Sequence, residues 1–246
     1  MKLKIFIYGD IGSGKTYFAG TTPNPHFIII PTETTLTSLA LSNLDAPYTL
    51  CDTEDDVHTV LAQIENRMIA KEAGTIVFDS LTDLQPLIIA ALLRRTGKPV
   101  MTLPMWGTAG DTQRMIAVKF TGLASKLNKH VVMIAKTRID KDELTGEVLG
   151  VPQCIGQGRT TLPGLFDEVF FAEARLQGSE KKFELHTVKF LGRWNAKDET
   201  SVLQPTEPND FRVLEPRIKA KLLEREKLIQ QYREQAQIQA GGVPNA

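Results

Sequence analysis

Residues 9–16 read GDIGSGKT, the pattern G-x-x-x-x-G-K-[ST], preceded by the apolar run 4–8 and followed by a helix-forming stretch. No other segment restricts the fold as much. Strand, glycine-rich turn and helix in that order build a phosphate cradle, in which glycines let backbone N–H groups wrap the anion and the helix N-terminus favours negative charge. Gly9, Asp10, Ile11, Gly12, Ser13, Gly14, Lys15, Thr16 and Tyr17 are therefore the expected nucleotide-binding residues. In such a loop the lysine meets the β- and γ-phosphates and the Thr hydroxyl ligates magnesium. ATP and Mg2+ are the expected ligands.

The periodicities downstream extend this opening. A strand over 27–30 follows a helix that must stop near Pro23. Thr53 and Asp56 stand where a cap and first turn belong, and Val57, Val60, Leu61, Ile64 and Met68 then recur at helical spacing. Residues 75–78 and 131–135 read as buried strands, with helices over 83–95 and along Ile116, Phe120, Leu123 and Leu127. Strands alternating with helices predict an α/β fold with a mainly parallel sheet covered on both faces. Glycines at 146, 150, 156, 158 and 164 and prolines at 152 and 163 predict a long loop over 136–164. Residues 168–173 and 183–190 follow as strands joined by a polar turn at Gly178 and Ser179, a C-terminal antiparallel extension of the sheet. Ile218, Leu222, Ile229, Tyr232 and Ala236 then form a helical stripe with basic neighbours, a candidate docking helix. The expected division is a core over 1–214 and a C-terminal helix with a flexible tail over 215–246.

Composition narrows the function classes. A chain of 246 residues with 42% hydrophobic residues can bury one sizeable core. Lys plus Arg and Asp plus Glu are both 29, so any nucleic-acid contact must be a local patch. Cys51 and Cys154 have no CxxC partner, which argues against a zinc site and fits a reducing compartment. No apolar run approaches the ~20 residues of a membrane helix, and the opening MKLKIFIYGD runs straight into a strand, so a cytoplasmic protein with no membrane contact is expected. His26, His58, His130 and His186 have no nucleophile at a recognisable spacing, which leaves nucleophilic hydrolase chemistry unsupported.

Two carboxylates are candidates for the chemistry. TIVFDS, residues 75–80, sets Asp79 at the carboxyl end of a buried strand, either to hold magnesium opposite Thr16 or merely to cap the next helix. Beside the phosphate loop the first reading is favoured. Glu33, in FIIIPTET, lies just past the second strand, at the ligand-binding edge of a parallel sheet. It is the candidate base that orients water, against the alternative of an ordinary loop carboxylate. Lys15, Glu33 and Asp79 are thus the expected catalytic set, with Thr16 and Asp79 on the metal.

The order of these pieces resembles the RecA-like ATPase core: a P-loop, a glutamate after the second strand, an Asp-terminated strand and a glycine-rich loop after the next. More narrowly, KIFIYGDIGSGKT, TIVFDSLTDL, WGTAGDTQRMIAVKFTGL before HVVMIAK, LPGLFDEVFFAE and RWNAKDE look like phage-encoded AAA-domain ATPases. Some of these are single-strand annealing recombinases. The pieces span residues 3–200. The resemblance implies an ATPase, stimulated by single-stranded DNA, that acts in phage recombination or replication. It also implies a homo-oligomer, and the C-terminal helix is a candidate contact for a single-strand binding protein.

On that resemblance residues 96–111 take the place of a first DNA-binding loop and 138–164 that of a second. Arg94, Arg95, Lys98, Trp106, Arg138 and Arg159 are the implied DNA contacts, with Trp106 either stacking on bases or packing in the core. Asp140, Asp142, Glu143 and Glu147 dilute the second loop, so it is no basic patch. Lys189, Arg193 and Lys197 lie where such proteins present cations to a neighbouring subunit's nucleotide, the alternative being plain surface basicity. Two departures stand out. Lys136 and Thr137 occupy the place of a polar sensor, and the chain opens directly on its first core strand, without the N-terminal element by which larger recombinases polymerise. A metabolite kinase and a nucleotide-switched nonenzymatic adaptor are the competing classes. The kinase would need an arginine-rich lid segment, and none is evident.

Overall fold

β1 (Lys4–Gly9) sends alternate side chains to two cores, Ile5 and Ile7 to one and Phe6 and Tyr8 to the other. A strand buried on both faces belongs at the centre of a sheet covered on both sides. That is where the computed structural model of the chain, which describes residues 2–32, 46–141, 146, 148–191 and 194–241, places it. The other strands are β2 (Pro25–Ile29), β3 (Tyr48–Leu50), β4 (Thr75–Asp79), β5 (His130–Lys141), β6 (Val148–Pro152), β7 (Glu168–Gln177), β8 (Glu180–His186), β9 (Lys197–Asp198) and β10 (Thr206–Pro208). The sheet runs β10-β8-β7-β1-β5-β4-β2-β3. The pairings from β7 to β3 are parallel, whereas β8, β9 and β10 add antiparallel. The α/β class, the mainly parallel sheet and the antiparallel extension are as expected.

α2 (Glu54–Glu65), α3 (Leu84–Thr96) and α4 (Leu103–Leu127) cover one face, where Val57, Leu61, Ile88, Ile116 and Phe120 pack against Phe6, Ile76 and Phe78. α2 starts with the anticipated cap: the Asp56 N–H donates to Thr53 Oγ1 at 3.1 Å and the Thr53 N–H to Asp56 Oδ2 at 2.8 Å. α1 (Lys15–Gly20) and α5 (Phe211–Gly241) cover the other face through Phe18, Phe211, Leu214, Ile218 and Leu222. The boundary expected between 214 and 215 thus falls inside one continuous helix whose first turns belong to the core. Farther along α5, Ile229 and Tyr232 are exposed. No helix among the described residues is long and apolar enough to cross a membrane.

Both expected loops contain regular structure, which corrects the sequence reading. Of residues 96–111, only 97–102 lie between α3 and α4. Pro104 suits the first turn of α4, and Met105, Ala109, Thr112 and Gln113 bury one face. Polar Thr112 and Gln113 on that face hide the apolar stripe. Within 136–164, β5 continues to Lys141 and returns as β6, pairing Thr137 with Pro152 through Lys141 with Val148. A helical turn, Gly158–Thr161, and a tighter turn, Leu162–Leu165, follow. Gly150 sits in this hairpin because the Trp194 ring fills the space a Cβ would take. Trp194 also stacks on Phe171, ring centroids 4.3 Å apart. Trp194 therefore pins the hairpin to the C-terminal part of the sheet.

Candidate nucleotide-binding site

β1 delivers the chain to the phosphate loop at the carboxyl edge of the parallel strands, and α1 leaves it with its N-terminus toward the loop. Gly14 holds φ 86°, a left-handed conformation that L side chains rarely adopt, and a Cβ there would run into the Asn209 amide. Lys15 folds back across the loop. Its Nζ donates to Gly9 O at 2.9 Å, Asp10 O at 2.6 Å and Ser13 Oγ at 3.3 Å. Burial lowers its pKa to about 8, against the opposing pull of Asp79 and Asp10. Thr16 Oγ1 donates to Asp79 Oδ2 at 2.8 Å. Burial raises the Asp79 carboxyl to about 6, opposed by the Thr16 hydrogen bond and by Lys15. Desolvation disfavours both charges, and each suits a site built to receive the opposite charge. A hydroxyl and a carboxylate in contact are hard oxygen donors fit for Mg2+, beside a loop and helix N-terminus fit for phosphates.

Five further side chains converge here. Asp83, four residues past Asp79 and just before α3, accepts from Lys136 Nζ at 2.6 Å, and Lys136 is the register partner of Gly9. Asn209 Nδ2 donates to Gly14 O at 3.0 Å, and its Oδ1 is buried without a hydrogen-bond partner. Lys181 Nζ donates to Gly12 O at 3.2 Å and lies 5.1 Å from the Phe183 ring centroid. Asp83 shares the TIVFDSLTDL segment with Asp79, a local signal in the sequence. Lys181, Phe183 and Asn209 come from the antiparallel extension and carry no local motif.

Residues 1–207 match the AAA domain family. The chain belongs to that family. It is a nucleotide-binding P-loop ATPase domain. A KaiC-like protein from the hyperthermophilic archaeon Pyrococcus horikoshii is similar in structure, with a TM-score of 0.45 and 11% identity over 84% of each chain. No curated protein matches in sequence.

The remaining expected residues of this AAA domain divide sharply. Glu33 and Arg193 lie outside the described residues, as do Asp142, Glu143 and Glu147. Lys197 donates to Phe166 O at 2.7 Å and pairs with Glu199 at 3.0 Å, so its ammonium serves the fold, while Lys189 is exposed. Arg94 pairs with Asp55 at 3.7 Å and Arg95 with buried Glu54. Asp140 takes both Arg138, at 2.6 Å, and Arg159, at 2.9 Å. Lys98 is exposed. Trp106 is 44% exposed rather than a core residue. With Gly110 and Arg114 it lines a groove of about 350 Å3 whose other wall is Ile155, Gly156 and Gln157. The two stretches matched to DNA loops therefore meet, as a helix face against a turn.

Proposed function

We propose that this AAA domain hydrolyses MgATP and, according to its nucleotide state, binds single-stranded DNA, in phage recombination or replication. The Thr16–Asp79 contact beside Lys15 supports the ATPase half. The groove at Trp106 carries the DNA half, because an exposed indole beside Arg114 offers a stacking surface and a cation to any base sequence. Lys98 and Arg114 are better placed for phosphates than Arg94, Arg95, Arg138 and Arg159, which carboxylates of the chain already engage. Bound Mg2+ supplies positive charge against the terminal phosphates. Thr16 and Asp79 would hold it, Lys15 would bind the β- and γ-phosphates, Tyr17 would belong to the nucleotide-binding set, and Glu33 would orient the attacking water. The assembly is a homo-oligomer, in which Lys189 and Arg193 are the candidate cations for a neighbour's nucleotide. The exposed part of α5 carrying Ile229 and Tyr232 docks a single-strand binding protein.

ATP turnover with and without single-stranded DNA tests the reading, and stimulation by DNA is expected. Single-strand affinity should need ATP or a nonhydrolysable analogue and fall steeply with salt. Trp106→Ala should remove about 1–3 kcal/mol of that affinity with thermal stability retained. Absence of nucleotide-dependent single-strand binding at low salt would return the domain to the adaptor or kinase class.

A further inference from the structure

The groove at Trp106 holds a charge that does not suit a nucleic-acid backbone. Asp111 lines it together with Arg114, one turn on along α4, and both are exposed. Residues so spaced on a helix commonly pair, yet these two form no ion pair with each other or with any other described residue. An unpaired carboxylate repels phosphates, and no contact within the fold accounts for it. In a groove that receives a single strand it needs a partner other than the backbone. There is room for one. A Cβ at Gly107 on one wall, or at Gly156 on the other, would meet nothing within 4 Å, so space stands open over both. The volume of about 350 Å3 lies at the low end of small-ligand sites, about 300–1,000 Å3, which suits one flat ring system against the Trp106 indole rather than a duplex.

We propose that this groove takes one unstacked base of the strand and prefers guanine, whose Watson–Crick edge donates to Asp111, an inference that rests on the single-strand binding proposed above. An ionised Asp is an acceptor only, with two oxygens side by side. Guanine alone among the four DNA bases presents two adjacent donors on that edge, N1–H and an N2–H of its amino group, which match a carboxylate pairwise. Adenine and cytosine offer one amino group there, and thymine one imino N–H. Bases splayed out of a stack are read on this edge by side chains while an aromatic ring holds the base plane. The Gln157 amide, on the opposite wall, carries a donor for the guanine O6. Arg114 is a donor only and serves a flanking phosphate. Trp106 thus supplies affinity that ignores base identity, and Asp111 supplies the choice.

The test titrates the full chain, with Mg2+ and a nonhydrolysable ATP analogue, against labelled oligothymidylates of one length, unsubstituted or with a single central guanine, adenine, cytosine or hypoxanthine, and reads anisotropy. The guanine strand should bind on the order of tenfold more tightly than the all-thymine strand. Hypoxanthine, which keeps N1–H but lacks the 2-amino group, should lose most of that gain. Asp111→Asn should erase the guanine preference and bind plain oligothymidylate at least as well as the wild type, since one repulsive charge is gone. Arg114→Met should weaken every strand alike and lower the salt slope by about one. Gly107→Leu, which fills the open space with a better helix former, should erase the preference with thermal stability kept. Equal wild-type affinity for all strands, an Asp111→Asn chain that binds all of them more tightly by one factor, or a Gly107→Leu chain that keeps the preference would overturn the guanine pocket. A wild type that binds no strand in the presence of the analogue would overturn the single-strand binding itself, an outcome distinct from binding without preference.

Discussion

Single residues in this AAA domain announce themselves when their chemistry needs a local spacing. Lys15 and Thr16 follow from the loop pattern, and Asp79 from one buried strand ending in a carboxylate. Asn209 does not, because its place under Gly14 is set by the fold across a separation of 195 positions. Lys15→Ala should reduce nucleotide affinity at least tenfold with the melting temperature kept, because Lys15 bonds only the loop it spans. Nucleotide titration beside a thermal scan checks both halves. Glu168 shows how a titratable group can matter without touching the site. It is fully buried at the start of β7; burial first, and then the facing Asp198, raise its pKa to about 9. Its folded pKa exceeds the unfolded value, so its contribution is complete below about pH 4.5 and is lost as pH rises toward 9. Glu168→Gln keeps an acceptor for the Thr200 N–H and a donor for Asp198, and removes that titration. The variant should be more stable than the wild type by a few kcal/mol at pH 8, with the gap closing below pH 5 in pH-resolved denaturant melts.

At the scale of elements, the sequence was readable wherever the hydrophobic period was clean. β1, β4 and the first half of β5 are continuous apolar runs, and α2 carries its capping box in plain view. The β5–β6 hairpin was hidden because glycine and proline usually punctuate loops, whereas Gly150 is there to admit an indole from a segment 44 positions later, at Trp194. The start of α4 was hidden because its buried face includes polar Thr112 and Gln113, and the Gln113 amide bonds Leu81 O and the Ile155 N–H beside the groove. Gly150→Ala tests this explanation. The added methyl cannot be placed without moving Trp194 off Phe171, so destabilisation of about 1–3 kcal/mol is expected from overpacking. Trp194→Ala should be more severe, about 3–5 kcal/mol. Tryptophan emission and denaturant melts read both, and an unperturbed Gly150→Ala protein would place the Trp194 ring elsewhere.

At the scale of the whole molecule, charge neutrality left the sequence silent about where a partner binds, and the fold answers by distributing its cations. Arg94, Arg95, Arg138 and Arg159 all meet carboxylates of the chain, so surface attraction is confined to a few positions rather than spread across a face. The C-terminal helix is the other element that only the fold explains. Its stripe is one pattern in sequence, but Phe211, Leu214, Ile218 and Leu222 complete the core over α1 and β1 while Leu228, Ile229 and Tyr232 face solvent. Two truncations separate these roles. Ending the chain after Lys227 keeps every one of the four buried anchors and the Arg225 bond to Glu199 O, at 3.2 Å, so stability should change by no more than about 0.5 kcal/mol and ATP turnover should persist. Ending it after Asp210 strips those anchors from the sheet, a loss of roughly 6–12 kcal/mol at the usual value of a buried side chain, which matches the entire stability of an ordinary domain. That product should be insoluble or unfolded by circular dichroism. If the shorter deletion also abolishes capture of a single-strand binding protein while leaving nucleotide-dependent DNA binding intact, α5 is one helix with two functions, the first part structural and the second a docking arm. A destabilised 1–227 chain would show instead that the exposed residues of α5 are covered within an oligomer.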